Sequence, residues 1–282
     1  MDKNTIENWI IQNSEPKIYT TEISKIDLDD SKVIILIKVS RSWDLPHRVK
    51  INKKKEFYIR RNGSTDPMEM DLLRRNFELS GTLMDKIYEF RDKRISKIYM
   101  NQSFCNLNDG FKIILHLIPY SSFIGLNFKL NSIDSVIYNN GSNGFNEPNF
   151  EGLIDINDDG YTQFFRNGII EKVYSQSLDD KLIDLHNHYY NFTDNIKYFN
   201  KIYEELNILP PYAIFVTMVN IKDCYMKLRT TRKHKPIDEN RDVLAASPIL
   251  IEQLFDEKEL SVKFKPLFIP FFNHFKLKIN ED

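Results

Sequence analysis

The sequence predicts a mixed α+β fold, and three observations carry that expectation. A continuous apolar run at 33–37 and a mostly apolar segment at 111–118 have the length of strands. Apolar residues at helical spacing mark helices, as in Met84, Ile87, Tyr88, Ile95, Ile98 and Tyr99, and again over 184–206. Asn167-Gly168, flanked by the segments 161–166 and 169–174, is a strong short-range hairpin signal because both residues tolerate positive φ. Hairpins among alternating strands and helices argue against a regular parallel barrel.

Taken in order, residues 5–13 read as a short amphipathic helix with Ile6, Trp9 and Ile10 on one side. The run at 33–37 reads as a central strand buried on both faces. A short strand at 57–59 ends at the turn pair Asn62-Gly63. Asp66 as cap, Pro67 at the first helical position and Glu69 in the capping-box place predict a helix start, and Gly81 predicts its end. A second helix from Thr82 is expected to link two halves, giving domains at 1–80 and 102–282 joined by 81–101. In the second half the spacing predicts a buried strand closed by Pro119, a Gly/Asn-rich loop at 139–149 and the hairpin about Asn167-Gly168. A helix over 184–206 stopped by Pro210-Pro211, a strand over 212–221 and an aromatic segment over 264–275 follow.

Composition narrows the function classes. The 282 residues are 41% hydrophobic and 28% charged with a net charge of −1, which describes a globular chain able to bury a core. No apolar run approaches the roughly 18 residues of a membrane helix, so no membrane association is expected. Two cysteines, Cys105 and Cys224, are too few for a disulfide scaffold or a Cys-based zinc finger. With no signal-like N-terminus, they point to the cytoplasm.

Standard catalytic signatures are absent. There is no phosphate-cradling glycine loop, no H-E-x-x-H and no G-x-S-x-G, and no cofactor is expected. Asp155, Asn157, Asp159 and Gly160 imitate the start of a calcium loop, but the position that needs a bidentate Glu holds Arg166, so an Asp-Gly turn is the expected reading. His186 and His188 are two apart and point to different sides of a helix. Cys105 and His116 form a nucleophile–base pair only if the fold joins them. Acids beside lysines at Asp30-Ser31-Lys32 and Asp179-Asp180-Lys181 are of a type that holds Mg²⁺ in nucleases, at a spacing common by chance in so charged a chain.

Charge is unevenly distributed. Residues 38–61 carry nine Lys or Arg against Asp44 and Glu56, a net +7, with Trp43, Phe57 and Tyr58 interleaved. A smaller basic stretch spans 222–235. Within this region stand Val39-Ser40-Arg41-Ser42, then Pro46-His47-Arg48-Val49, then Tyr58-Ile59-Arg60-Arg61-Asn62-Gly63, then Pro67-Met68-Glu69-Met70. In order and spacing they resemble the second half of the Schlafen AlbA-like DNA-binding domain, widespread among bacterial proteins described as ATP-binding. The segment 112–221, with His116-Leu117-Ile118-Pro119, is similar to the C-terminal part of bacterial members. The family's opening E-S-x-x-L-E-F-K strand and A-F-A-N-x-x-G-G segment have no counterpart, so the chain is expected to be an N-terminally incomplete member. The acids that serve nuclease members cannot be placed here.

The resemblance and the basic run together lead to a nucleic-acid-binding protein, with DNA or RNA as partner. Arg41, Arg48, Lys50, Arg60 and Arg61 are expected on phosphates, and Trp43 or Tyr58 on a base. About 6–10 phosphate contacts lose on the order of 10³–10⁵ in affinity between 50 and 200 mM salt. Enzymatic activity is left open. The alternatives are a nuclease or nucleotide hydrolase completed by a missing N-terminal half, or a non-catalytic interaction or regulatory subunit. For the last, the partner is a second copy or another chain, met through the 33–39 edge or the aromatic segment.

Overall fold

In the computed structural model the described residues are 2–18, 21–28, 32–39, 42, 44–51, 54–123, 125–139, 146–177, 181–227, 233–234, 236, 238–252 and 257–277. The fold is α+β, as the sequence predicts. The chain divides into two compact units, Met1–Tyr88 and Glu89–Asp282. The division falls inside the helix Met70–Tyr99.

The first unit starts with helix α1 (Lys3–Asn13) and the short strand β1 (Ser14–Glu15). A hairpin of β2 (Thr21–Asp27) and β3 (Val33–Val39) follows, then β4 (Arg48–Ile51), β5 (Lys54–Arg61) and β6 (Ser64–Pro67). Helix α2 (Met70–Tyr99) continues from this unit into the second. Strands β1-β4-β5-β6 form one antiparallel sheet, and β2-β3 form a separate two-stranded one. Ile6 of α1 and Ile23 of β2 are buried where α1 packs on the hairpin, whereas Trp9 stays exposed.

Three sequence expectations fail here for physical reasons. The run at 33–37 is not buried on both faces, and every residue of β3 is exposed, because among the described residues β2 is its one strand neighbour. Asp66 and Pro67 do not start a helix: they pair with Ile59 and Tyr58 as the last strand of the sheet, and ladder pairing overrides the capping signals. Gly81 does not end a helix. It lies in mid-α2, where its cost of roughly 1 kcal/mol relative to Ala is offset by the apolar stripe continuing through Leu83 and Ile87.

The second unit is built on β7 (Lys112–Pro119), helix α3 (Leu130–Asn139), β8 (Asn146–Pro148), β9 (Gly152–Asn157), β10 (Gly160–Phe165) and β11 (Ile170–Ser175). Then come β12 (Leu182–Ile183), α4 (Leu185–Glu205), β13 (Tyr212–Val219), β14 (Tyr225–Lys227), β15 (Lys233–His234), β16 (Val243–Ala245), β17 (Ile249–Ile251) and α5 (Glu257–His274). The main antiparallel sheet has the order β16-β13-β7-β11-β10-β9-β8, with β17 also on β13. Asp184 caps α4 by accepting from the Asn187 backbone N–H at 3.1 Å. The Asn167-Gly168 hairpin forms as expected, with Gly168 at φ 86. The calcium-loop imitation is the turn between β9 and β10, where Asn157 pairs with Gly160.

Strands β7 and β13 are buried along their whole length because both faces of this sheet are covered. Alternation sends Ile113, Leu115 and Leu117 into a core with Phe192 and Phe199 of α4 and Phe264, Phe268 and Phe271 of α5. The aromatic segment at 264–275 is therefore core and offers no docking patch. The opposite face carries Ile114, His116, Tyr161, Val173 and Glu171, beside Ile95 and Ile98 of α2 and Phe104, Cys105 and Leu107.

Candidate functional site

Two constellations carry chemistry, one in each unit. The first is the basic surface on β4 and β5. Its register pairs Arg48 with Phe57, Val49 with Glu56, and Lys50 with Lys55. Side chains alternate along a strand, so Arg48, Lys50, Lys55 and Arg61 share one face, and Tyr58 and Arg60 point to the other. The seven expected binding residues thus do not form one patch. Arg48, Lys50 and Arg61 share a face, Tyr58 and Arg60 lie on the reverse, and Arg41 and Trp43 lie outside the described residues. Lys55 joins the first group; the register that places it there cannot be read from composition.

Acids moderate this face without neutralising it. Glu15 accepts from Arg48 Nε at 2.9 Å and from Lys55 Nζ at 3.3 Å, and Glu69 from Arg61 Nη1 at 3.2 Å. Hydrogen bonds from Arg48 and Lys55 hold the Glu15 carboxyl below its ordinary value. All these side chains are well exposed, and water screens such pairs, so they contribute little to stability. Lys50 forms no ion pair among the described residues, and it stands directly opposite another lysine. Like charges in that relation are destabilising, and a bound anion relieves them. On the reverse face, the Tyr58 hydroxyl donates to Glu56 at 3.0 Å, which raises its pKa. Tyr58 is half-buried, so it offers no open stacking surface beside the basic face.

The second constellation is a buried charge network. Glu171 on β11 accepts from Arg94 of α2 at 2.8 Å (Nε) and 2.7 Å (Nη2), from the Tyr161 hydroxyl at 2.6 Å and from His116 Nε2 at 2.9 Å. Arg94 also stacks over the Phe104 ring, 4.2 Å from its centroid. Cross-strand register explains the assembly: Glu171 is the direct partner of both His116 and Gln163. Burial opposes ionisation of Glu171, but the bonds from Arg94 and His116 outweigh it and hold the carboxyl well below the usual carboxylate range. Burial, and then the Glu171 charge, push the Tyr161 phenol far above its ordinary value. With Nε2 donating to the carboxylate, His116 has its Nδ1 without a partner among the described residues, as has Thr217 Oγ1.

This network is a brace and not an exposed site. Glu171 and His116 are 0% exposed and Arg94 4%, so nothing reaches them without opening the fold. Sequence reasoning missed Arg94 and Glu171, which lie 77 positions apart with no local signal. Cys105 packs on the same apolar cluster, and burial raises its thiol pKa, the opposite of what an activated nucleophile requires. His188 lies 4.6 Å from the Tyr174 ring and His186 4.8 Å from Phe272, each packed against an aromatic. Asp30, Asp179 and Asp180 lie outside the described residues. Among the described residues no group of three His, Cys, Asp or Glu is placed to hold a metal ion, and no helix is long and apolar enough to cross a membrane.

No protein-family model, curated protein or solved structure matches this chain.

Proposed function

We propose that the first unit binds the phosphate backbone of a nucleic acid through the face that carries Arg48, Lys50, Lys55 and Arg61. One observation carries the reading: Lys50 has no ion pair among the described residues and sits directly opposite Lys55, with Arg48 two positions along the same face, and the one Glu15 carboxylate shared by Arg48 and Lys55 leaves these three cations net positive. The resemblance of 33–80 to Schlafen AlbA-like domains supports the same class of partner. The two cysteines, neither in a disulfide, fit a reducing cytoplasm. Binding is by backbone charge, with no reaction assigned.

Four cations on one face set a ceiling of about four neutralised phosphates. The slope of log affinity against log salt is then about −3.6 for duplex DNA, a loss of roughly two orders of magnitude between 50 and 200 mM salt. Labelled single- and double-stranded DNA and RNA are titrated across a salt series with the parent and with two variants. Lys50→Glu/Lys55→Glu is expected to abolish binding, and Arg60→Glu, on the reverse face, to leave most of it. Equal loss in both variants, or affinity independent of salt, overturns the proposal.

A further inference from the structure

We propose that the chain forms a two-fold dimer by antiparallel pairing of β3 with β3 of a second copy, with Leu36 on the axis. β3 is the sequence Val33-Ile34-Ile35-Leu36-Ile37-Lys38-Val39, and its aliphatic side chains are 43% to 56% exposed. Among the described residues it pairs with one strand only, β2. An isolated two-stranded hairpin is marginal in water, and a long, flat, apolar edge is the type of edge that recruits another strand.

The hydrogen-bond phase identifies the edge that is free. The Leu28 N–H donates to the Lys32 carbonyl at 2.9 Å, so Leu28 and Lys32 stand at a hydrogen-bonded position of the ladder. Counting in twos along the register, Ile34, Leu36 and Lys38 turn their backbone groups toward β2. Val33, Ile35, Ile37 and Val39 therefore turn theirs to the open side. A two-fold axis at Leu36 pairs Val33 with Val39 of the second copy and Ile35 with its Ile37. All four open positions are used twice over, forming about eight backbone hydrogen bonds.

Charge selects this register and this occupant. Lys38 is the only charged residue in β3, and its ammonium lies 3.2 Å from Glu22 of its own hairpin. With the axis at Leu36, Lys38 falls opposite Ile34 of the second copy and no like charges meet. Moving the axis to Ile35 sets Lys32 opposite Lys38 twice, and moving it to Ile37 shortens the overlap. A strand whose only charge is already satisfied, and whose open positions match their own reversal, is complementary to itself. A single strand edge is smaller than the roughly 1,200–2,000 Å² of stable complexes, so association in the micromolar range is expected.

The full chain is followed by sedimentation equilibrium from about 1 to 100 μM. The parent is expected to pass reversibly from monomer to dimer. Ile35→Pro removes an N–H that points to the open side and spares the hairpin's own bonds, so a monomer throughout is expected. Cysteine variants then read the register under mild oxidation. Leu36 faces its own copy in a non-hydrogen-bonded pair, about 4.5 Å between Cα atoms, within disulfide reach. Leu36→Cys is expected to give a covalent dimer, and Ile34→Cys, roughly 14 Å from its copy at about 3.4 Å per residue, to give none beyond the parent's background. A monomeric parent at 100 μM overturns the proposal, as does equal cross-linking at both positions.

Discussion

Arg94 and Glu171 meet through two hydrogen bonds of 2.8 and 2.7 Å, one residue on helix α2 and the other on strand β11, both shielded from water. A fork-to-carboxylate pair in this setting ties the helix to the sheet at a fixed point and orientation. Tyr161 and His116 occupy the remaining acceptor capacity of the carboxylate, so the ion is desolvated but fully coordinated. The stabilisation is conditional on every member being present.

Glu171→Gln is accordingly expected to destabilise the fold by about 3–5 kcal/mol, because the Arg94 guanidinium stays buried without its counter-charge. Arg94→Met is expected to cost a similar amount by stranding the carboxylate. The double variant Arg94→Met/Glu171→Gln leaves neither charge buried without the other, so it is expected to fall short of the sum of its parts by at least about 2 kcal/mol. Urea unfolding of the four proteins gives the cycle, and simple additivity would mean that the two residues do not act as a brace.

His188 makes stability depend on pH in a defined window. Burial lowers its pKa from 6.5 to about 4, with Asp184 opposing weakly. Its folded value lies below its unfolded one, so the unfolded chain binds the extra proton between those limits. The contribution is complete above about pH 6.5 and is lost as pH falls toward 4, about 3 kcal/mol in all. Glu171 acts lower: its contribution is complete above its ordinary carboxylate pKa of 4.5 and is lost below it. His188→Phe fits beside the Tyr174 and Phe111 rings and is expected to flatten the stability profile from pH 6.5 to 4. His274 shifts in the same direction and leaves a residual slope. Unfolding midpoints measured every half pH unit in parent and variant decide the point.

What the sequence made legible follows from range. The Asn167-Gly168 hairpin and the capped helix α4 rest on residues within a turn or two of each other, and both form where spacing places them. The fate of 33–39 depends on which strands lie beside it. An apolar run reads the same whether two neighbours cover it or one, so its exposure was invisible. Asp66 and Pro67 satisfy a helix start equally well, but the turn at Asn62-Gly63 returns the chain onto β5 before a helix can begin. For the basic face, the charge run was plain in the sequence. Its division into two faces depended on the register of β4 against β5, which moves every side chain to the opposite face if shifted by one.

Two glycines with opposite roles give a further check. A Cβ on Gly160 would lie 1.9 Å from the Val173 carbonyl oxygen, and the residue has φ 153. Gly160→Ala is expected to cost more than about 3 kcal/mol, since backbone in the centre of a sheet cannot yield. Gly81 lies within α2, where an added methyl would meet nothing within 4 Å and φ is not positive. Gly81→Ala is expected to stabilise by roughly 0.5–1 kcal/mol through helix propensity and a less flexible unfolded chain. Thermal unfolding of both variants beside the parent reads the two signs, and a destabilising Gly81→Ala would contradict an uninterrupted helix.

The Lys50–Lys55 pair separates function from stability most sharply. If the pair is retained for an anion, relieving the repulsion improves the free protein and harms the complex. Lys50→Glu converts two like charges into an opposite pair across β4 and β5, and is expected to raise stability by about 0.2–1 kcal/mol. The same change would replace the proposed phosphate contact with a repulsion, so affinity for duplex DNA is expected to fall by at least tenfold at 50 mM salt. Lys50→Gln, which removes the charge without reversing it, is expected to fall between parent and Lys50→Glu on both measures. The readouts are the unfolding midpoint of the free protein and its binding isotherm in the same buffer. A variant that loses both stability and binding would show that Lys50 supports the sheet, and one that gains stability with unchanged binding would move the anion off this face.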